Sequence, residues 1–342
     1  MKIKISVYLV VAAAFFLTAS NVFAGGFCCQ MPNGAGASSG ASMMSGDVTL
    51  QADYTYNRMS RFVSGGDYVS LHSVLQDPRF KPMKGTGVVP EVMDMHRITL
   101  TAAYAPTDRL RAVLCVPWVI NDMTMRMWMM GKWTRETMDE VSGLGDVTLT
   151  GYYNIWQDRD VKPTMALTFG AGVKFPTGSS TVSQDGKRIH AHMQPGTGSW
   201  DPLLSLSFMD MISPKFLLQA DVNYRVANKN SLGYSYGDTA AVNANLNYNV
   251  ANYMNVSLGA GYFHSEQADD PNNKYNGQNP HRLTDYVGYT GEDSVWITPG
   301  VAVIPFPGAA IDLKFSYPVY YHVPDIEQVT DWRLTAGISY SF

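Results

Sequence analysis

Trp332-Arg333-Leu334-Thr335-Ala336-Gly337-Ile338-Ser339-Tyr340-Ser341-Phe342 closes the chain, and its period of two decides the fold. Trp332, Leu334, Ala336, Ile338, Tyr340 and Phe342 fall on one face of an extended strand; Arg333, Thr335, Gly337, Ser339 and Ser341 fall on the other, because successive strand side chains point to opposite sides. A sandwich strand alternates in the same way with its apolar face turned inward, so one strand does not separate the two architectures.

The set of strands does. The pattern recurs about twelve times in copies of about ten residues, the length that crosses a bilayer when tilted, whereas sandwich strands are usually shorter. Ile311, Leu313, Phe315 and Tyr317 oppose Asp312, Lys314 and Ser316; Val242, Ala244, Leu246, Tyr248 and Val250 oppose Asn243, Asn245, Asn247 and Asn249. Near the start, Val48, Leu50, Ala52, Tyr54 and Tyr56 oppose Asp47, Thr49, Gln51, Asp53 and Thr55. Backbone groups in lipid have no water to bond, so such a sheet must close on itself. The prediction is an all-β chain forming a closed antiparallel transmembrane β-barrel of about twelve strands.

If the apolar face meets lipid, the other face encloses water, since charged side chains are costly in a dry core. The residues expected to line that lumen and meet a solute are Asp53, Arg97, Arg111, Asp146, Lys174, Asp221, Arg225, Asp312, Lys314 and Arg333. Their fields would set charge selectivity; alternatively they knit a closed interior for rigidity. Connection lengths point the same way as the alternation. Tight links at 106–109, 157–161, 210–213, 250–252 and 305–308 alternate with long ones at 58–93, 121–144, 176–198, 226–236, 264–292 and 320–330. Bacterial barrels have short periplasmic turns and long extracellular loops.

The compartment is read from the N-terminus. Lys2 and Lys4 precede an apolar run from Ile5 to Leu17, followed by Val22, Phe23 and Ala24, which predicts a secretory signal peptide over 1–24 cut after Ala24. The run is shorter than the roughly 20 residues that span a bilayer as a helix. A lipoprotein at Cys28 is disfavoured by Phe27, which stands where lipid attachment requires a small residue. Residues 25–46 are Gly/Ser-rich, carry Cys28-Cys29 and are expected to be a flexible segment, with 47–342 expected to form the barrel. The expected location is the cell outer membrane.

Composition excludes other classes. A net charge of −4 with pI near 6.0 argues against a nucleic-acid partner, which selects a basic patch. Three cysteines in an exported chain cannot all pair internally, so this is no disulfide scaffold. Phe342, aromatic and terminal, is similar to the signal that outer-membrane barrels present to their assembly machinery, which makes that machinery and outer-membrane lipid expected partners.

Three short motifs carry a family resemblance: Ser142-Gly143-Leu144-Gly145-Asp146 entering a strand, Lys174-Phe175-Pro176-Thr177-Gly178 leaving the next, and Pro195-Gly196-Thr197-Gly198. The chain resembles the outer-membrane family named for the MetA pathway of phenol degradation, over roughly 95–342. The resemblance implies uptake of small organic, including aromatic, compounds. The motifs also read as turn chemistry, with glycines where the chain bends into the wall and Pro176 ending a strand.

The most unusual local feature is a stretch with Met123, Met125, Met127, Met129, Met130 and Met138 interleaved with Trp128 and Trp133. It is expected to be a loop, with Met93, Asp94, Met95 and His96 at the end of the preceding one. Thioether sulfur suits Cu(I), with histidine as a borderline partner, and His190, His192 and Met193 could join if the loops converge. Copper is the one metal suggested, with no other cofactor; the plainer reading is adaptable apolar packing. Cys28 and Cys29 are a second soft-metal candidate, or a point of attachment for a periplasmic partner. Cys115 shares a parity with Arg111 and is expected to point inward.

Catalysis finds little support. His96 and His264 lie near strand ends, but no Gly-x-Ser-x-Gly elbow, His-Glu-x-x-His helix or phosphate-binding loop is present. The sequence therefore predicts a passive outer-membrane channel for small solutes and not an enzyme. Its alternatives are a copper-capturing barrel and a structural barrel docking a periplasmic partner.

Overall fold

The computed structural model describes residues 44–342. The expected signal peptide, Cys28 and Cys29 lie outside the described residues.

Twelve antiparallel strands form the wall: β1 (Val48–Ser64), β2 (Gly87–Tyr104), β3 (Leu110–Met129), β4 (Thr148–Gln157), β5 (Met165–Lys174) and β6 (Asp201–Ser213), then β7 (Phe216–Arg225), β8 (Thr239–Ala251), β9 (Met254–Ser265), β10 (Glu292–Val303), β11 (Ala309–His322) and β12 (Ile326–Ser341). Each pairs with its neighbours in sequence, and β12 pairs with β1 from Thr49↔Ser341 to Ser64↔Ile326. The sheet is a closed barrel, as the alternation required. Val141–Leu144, paired with β3 at Trp118–Asn121, continues the line of β4 above Gly145 and Asp146.

The two faces are as unequal as the sequence. On β2, Leu100 is 57% exposed while its neighbour Thr101 is 5% exposed. Leu50, Tyr54, Leu114, Leu206, Leu258, Ile311 and Ile338 share the outward face. At the short-turn end Phe306, Tyr340 and Phe342 form an exposed aromatic group, with the last two rings 4.7 Å apart, the placement expected at a membrane interface.

The connections correct the sequence reading in one respect. Strands run past the bilayer, so the expected loops shrink: β1 reaches Ser64 and β2 begins at Gly87, and the link between β11 and β12, expected over 320–330, is only Val323–Asp325. The methionine-rich "loop" is strand: β3 runs to Met129, turns at Met130 and Gly131 with positive φ, and returns as Lys132–Thr137. Extracellular hairpins of this kind satisfy their own backbone, so no membrane rule limits their length.

The remaining long connections fold over the mouth. A short helix, Leu71–Gln76, is capped by Ser70, whose hydroxyl accepts from the Ser73 amide at 3.1 Å. It packs Val74 beside Phe80, Val89, Leu283, Tyr289 and Ile326. The 266–291 connection is stitched to β2 by Val88 N donating to His281 O at 2.9 Å and Leu283 N donating to Val88 O at 2.8 Å. A buried tyrosine cluster, Tyr234, Tyr236 and Tyr275, joins it to the 226–238 connection. The barrel is thus capped at its long-loop end.

Candidate functional site

The three family motifs meet in one knot at the base of the 175–200 connection. Asp146, from the first, accepts from Gly178 N at 3.0 Å and from Thr197 N and Oγ1 at 2.8 and 2.7 Å, residues of the second and third. Lys174 donates to Asp146 at 2.8 Å and to the Ser199 carbonyl at 3.0 Å, and lies 3.1 Å from Asp201, which Arg225 approaches at 3.8 Å. The glycines serve close approach more than bending: a Cβ on Gly178 would lie 2.7 Å from Gly196 Cα, and one on Gly196 would lie 2.5 Å from Asp146 Oδ1. Asp146, Lys174 and Arg225, expected in the lumen as solute contacts, are instead buried in this balanced cluster. The reason is that a buried charge needs an opposite partner, and the loop base brings two of each sign together.

Above the knot the connection turns inward. Gln194, fully buried, holds it by accepting from Val182 N at 2.9 Å and donating to the Val182 and Ile189 carbonyls. This seats Ile189 and Met193 against Met93, Met95, Met123 and Val141 of the wall, with Met59, Met138 and Val182 around them. Six thioethers therefore converge at the upper end of the β1–β4 wall. His96 is not among them: it lies on the opposite face of β2 from Met95, where its Nδ1 is 2.7 Å from the Tyr54 hydroxyl. Of the expected soft-metal set Met93, Met95, Met123, Met138 and Met193 join the cluster. Met125, Met127 and Met129 stand higher on the hairpin, with Met129 exposed. His190 and His192 stack at 5.8 Å, but His190 Nδ1 sits 2.5 Å from Asp285, which also accepts from Arg282 at 2.6 Å. That latch ties the 175–200 connection to 266–291. Burial pushes the His192 imidazole down to about 4, helped by His190; burial alone would raise Asp285, yet His190 and Arg282 hold it down at about 2.

Below the cap, the β7–β12 side of the barrel is hollow. One cavity, about 110 Å³, is lined by Asp221, Asn243, Phe263, Trp296, Lys314 and Arg333 among others. A second, about 270 Å³ and nearer the short turns, shares Gln219, Asn245, Ser257 and Lys314 with it and reaches Asn247, Asn249 and Asp312. Asn243 and Asn223 both donate to Asp221, and Asn247 donates to Gln219 at 3.0 Å, so the amides form two hydrogen-bonded groups along the wall. Asp53 and Asp312 lean over Gly337, where a Cβ would lie 2.5 and 2.6 Å from their Oδ1 atoms. Gln51 donates to Asp53 at 2.8 Å, and Lys314 is 3.4 Å from Asp312. Across the barrel Arg111 sits 4.9 Å over the Tyr152 ring, and Thr101 donates to inward-pointing Cys115 at 3.6 Å. Arg97 shares the face of Thr99 and Thr101 on β2.

The model of one sequence family, described as "Putative MetA-pathway of phenol degradation", matches residues 102–317, more than half the chain. The chain belongs to this family. No curated protein matches it in sequence. Among solved structures it is similar to an outer-membrane channel from Pseudomonas putida F1, at 12% identity, TM-score 0.56, covering 88% of this chain and 97% of that one. It is also similar, more loosely, to the P. putida toluene transporter TodX, at 11% identity, TM-score 0.43, covering 87% and 90%. The first likeness is one of fold: a closed outer-membrane β-barrel.

For this member of the phenol MetA family, all three motifs of the knot fall inside the matched span, while β1 and β12, which close the barrel, fall outside it. Sequence reasoning missed Phe263 and Trp296 as cavity residues. A signal was present: Tyr262-Phe263 and Val295-Trp296-Ile297 are apolar runs that break alternation, placing an aromatic ring on the polar face. The inward asparagines of β8 were visible as a pattern but were not singled out.

Proposed function

We propose that this chain is an outer-membrane channel through which small organic solutes pass passively, with the amide-lined cavities of the β7–β12 wall as the route and the inward-folded 175–200 connection as its gate. The observation that carries this reading is the pair of adjoining cavities, lined by polar side chains, directly beneath a cap that is built from separate loops. A rigid structural barrel has no need of such a void, since close packing there would add stability. Family membership points to phenol-like aromatic compounds as the first solutes to try. Phe342, whose amide donates to the Val48 carbonyl at 2.9 Å, ends the closing strand where assembly factors would meet it. Reconstitution in planar bilayers tests the reading: discrete conductance reduced by an aromatic solute supports it, and a folded but silent barrel overturns it.

A second reading rests on the methionine cluster. Six thioethers drawn from three strands, a hairpin end and a loop meet in one place, which is a donor set that soft monovalent cations accept. Replacing Met93, Met95, Met123 and Met193 with leucine keeps the packing volume and removes sulfur. Silver or Cu(I) binding that disappears in the leucine variant supports metal capture; unchanged or absent binding in the wild type rejects it.

A further inference from the structure

Resting on the channel reading, we propose that the cavity beneath the cap is a binding subsite for a small aromatic carboxylate, its ring against Trp296 and Phe263 and its anionic end on Arg333 and Lys314. In this cavity large aromatic side chains and two cations line a single void. Trp296 is held there by its own polar atom: Nε1 donates to Ser294 Oγ at 2.9 Å, and Tyr321 packs against it edge-on at 6.1 Å. An indole fixed in this way offers a rigid π surface at little entropic cost. Arg333 lies over that ring, with Cζ 4.9 Å from its centroid. A guanidinium stacked on an aromatic face still presents its edge donors in the plane, the fork that matches a carboxylate.

The wall beside Trp296 is cleared by glycine, since Gly261 pairs with Trp296 and Gly300 follows it on the same strand. Lys314 lies across Gly300, where a Cβ would come within 3.2 Å of its Cγ, and Asn243 lies across Gly261, where a Cβ would be 2.6 Å from its Oδ1. Both side chains thus lie flat along the wall and leave room at the centre. The acids of the cavity dictate orientation. Asp221 accepts from Asn223 and Asn243 and would repel a carboxylate, but it accepts readily from a ring hydroxyl. The carboxylate therefore belongs at the Arg333 end, and a hydroxyl on the ring is tolerated at the Asp221 end. A neutral aromatic uses only the ring contacts, and an aliphatic acid only the charge contacts. Discrimination against either should be at least tenfold, because the site's polar groups or its stacking face would go unused.

The test uses the full-length mature protein in detergent micelles and in planar bilayers, with benzoate, benzyl alcohol and cyclohexanecarboxylate as probes. Benzoate is expected to bind by calorimetry and block conductance at least tenfold more strongly than either comparator. Arg333→Gln and Trp296→Leu should each weaken benzoate tenfold or more while leaving benzyl alcohol nearly unchanged for Arg333→Gln. Equal binding of the three probes, or benzoate binding insensitive to Arg333→Gln in a barrel that still shows heat-modifiable migration, overturns the subsite. Should that variant fail to fold, Lys314→Gln and the comparison of probes on the wild type decide the matter. Benzoate binding to a silent barrel would sink the channel reading and leave the subsite standing; conductance indifferent to benzoate would do the reverse.

Discussion

Lys174 Nζ lies 2.8 Å from Asp146 Oδ2 with both side chains 4% exposed, so the base of the 175–200 connection is an ion pair sealed from water. Asp201 and Arg225 complete it, each side chain 1% exposed. Lys174→Met would leave two buried carboxylates facing one guanidinium. Breaking one side of a buried pair costs about 3–5 kcal/mol. Urea unfolding in detergent, followed by electrophoretic mobility, should show a loss of that size, and Lys174→Met combined with Asp146→Asn should recover much of it. A single variant as stable as the wild type would mean that the knot is wetter than its geometry.

Met193 is fully buried between the 175–200 connection and the wall. Met193→Ala removes packing worth about 2–5 kcal/mol in a core site, and the cost should fall on the cap more than on the barrel. Larger or more frequent openings in single-channel records are expected, with an unchanged global unfolding midpoint. Met193→Leu should behave as the wild type, since volume-conserving swaps cost under about 1.5 kcal/mol.

The alternation on β2 makes a direct test of which face meets lipid. Leu100→Arg on the outward face should destabilise the barrel in membranes by about 2–4 kcal/mol near the midplane. Thr101→Val, one residue away on the inward face, should leave lipid insertion unaltered. Equal effects of the two would contradict the assignment of faces.

Buried His192, stacked on His190 beside the latch, predicts a pH dependence. Burial holds His192 at about 4 in the closed cap, against an ordinary 6.5. An opened cap binds the proton that the closed one refuses, so closure is fully stable above pH 6.5 and weakens as pH falls through the window toward 4. The shift corresponds to about 3.5 kcal/mol at most, at roughly 1.4 kcal/mol per unit. Asp285, held at about 2 against an ordinary 3.8, adds its own loss only below that value. Channel opening recorded between pH 7 and 4.5 should rise on acidification, and His192→Gln should flatten the curve.

The strands were legible because a two-sided wall writes its period into every residue: Leu50, Leu100 and Ile338 face outward where the alternation put them, and Asp53, Asp221, Lys314 and Arg333 face inward. The cavity aromatics were harder, since Phe263 and Trp296 look like lipid-facing residues until the register is known. His96 shows the same limit from the other side. It neighbours Met95 in sequence, yet the pleat sends the two to opposite faces of the wall.

What the sequence by itself determined is therefore the closed barrel, its polarity and its strand set, because each follows from local alternation and the need to satisfy backbone groups in lipid. Only the tertiary structure decided that Asp146, Lys174 and Arg225 lock a loop base, that six methionines meet beneath a cap, and that Trp296 and Arg333 share a cavity. Those relationships join residues far apart in the chain. They depend on how loops with no periodic pattern fold back into the barrel, and contacts of that kind leave no local trace for alternation to reveal.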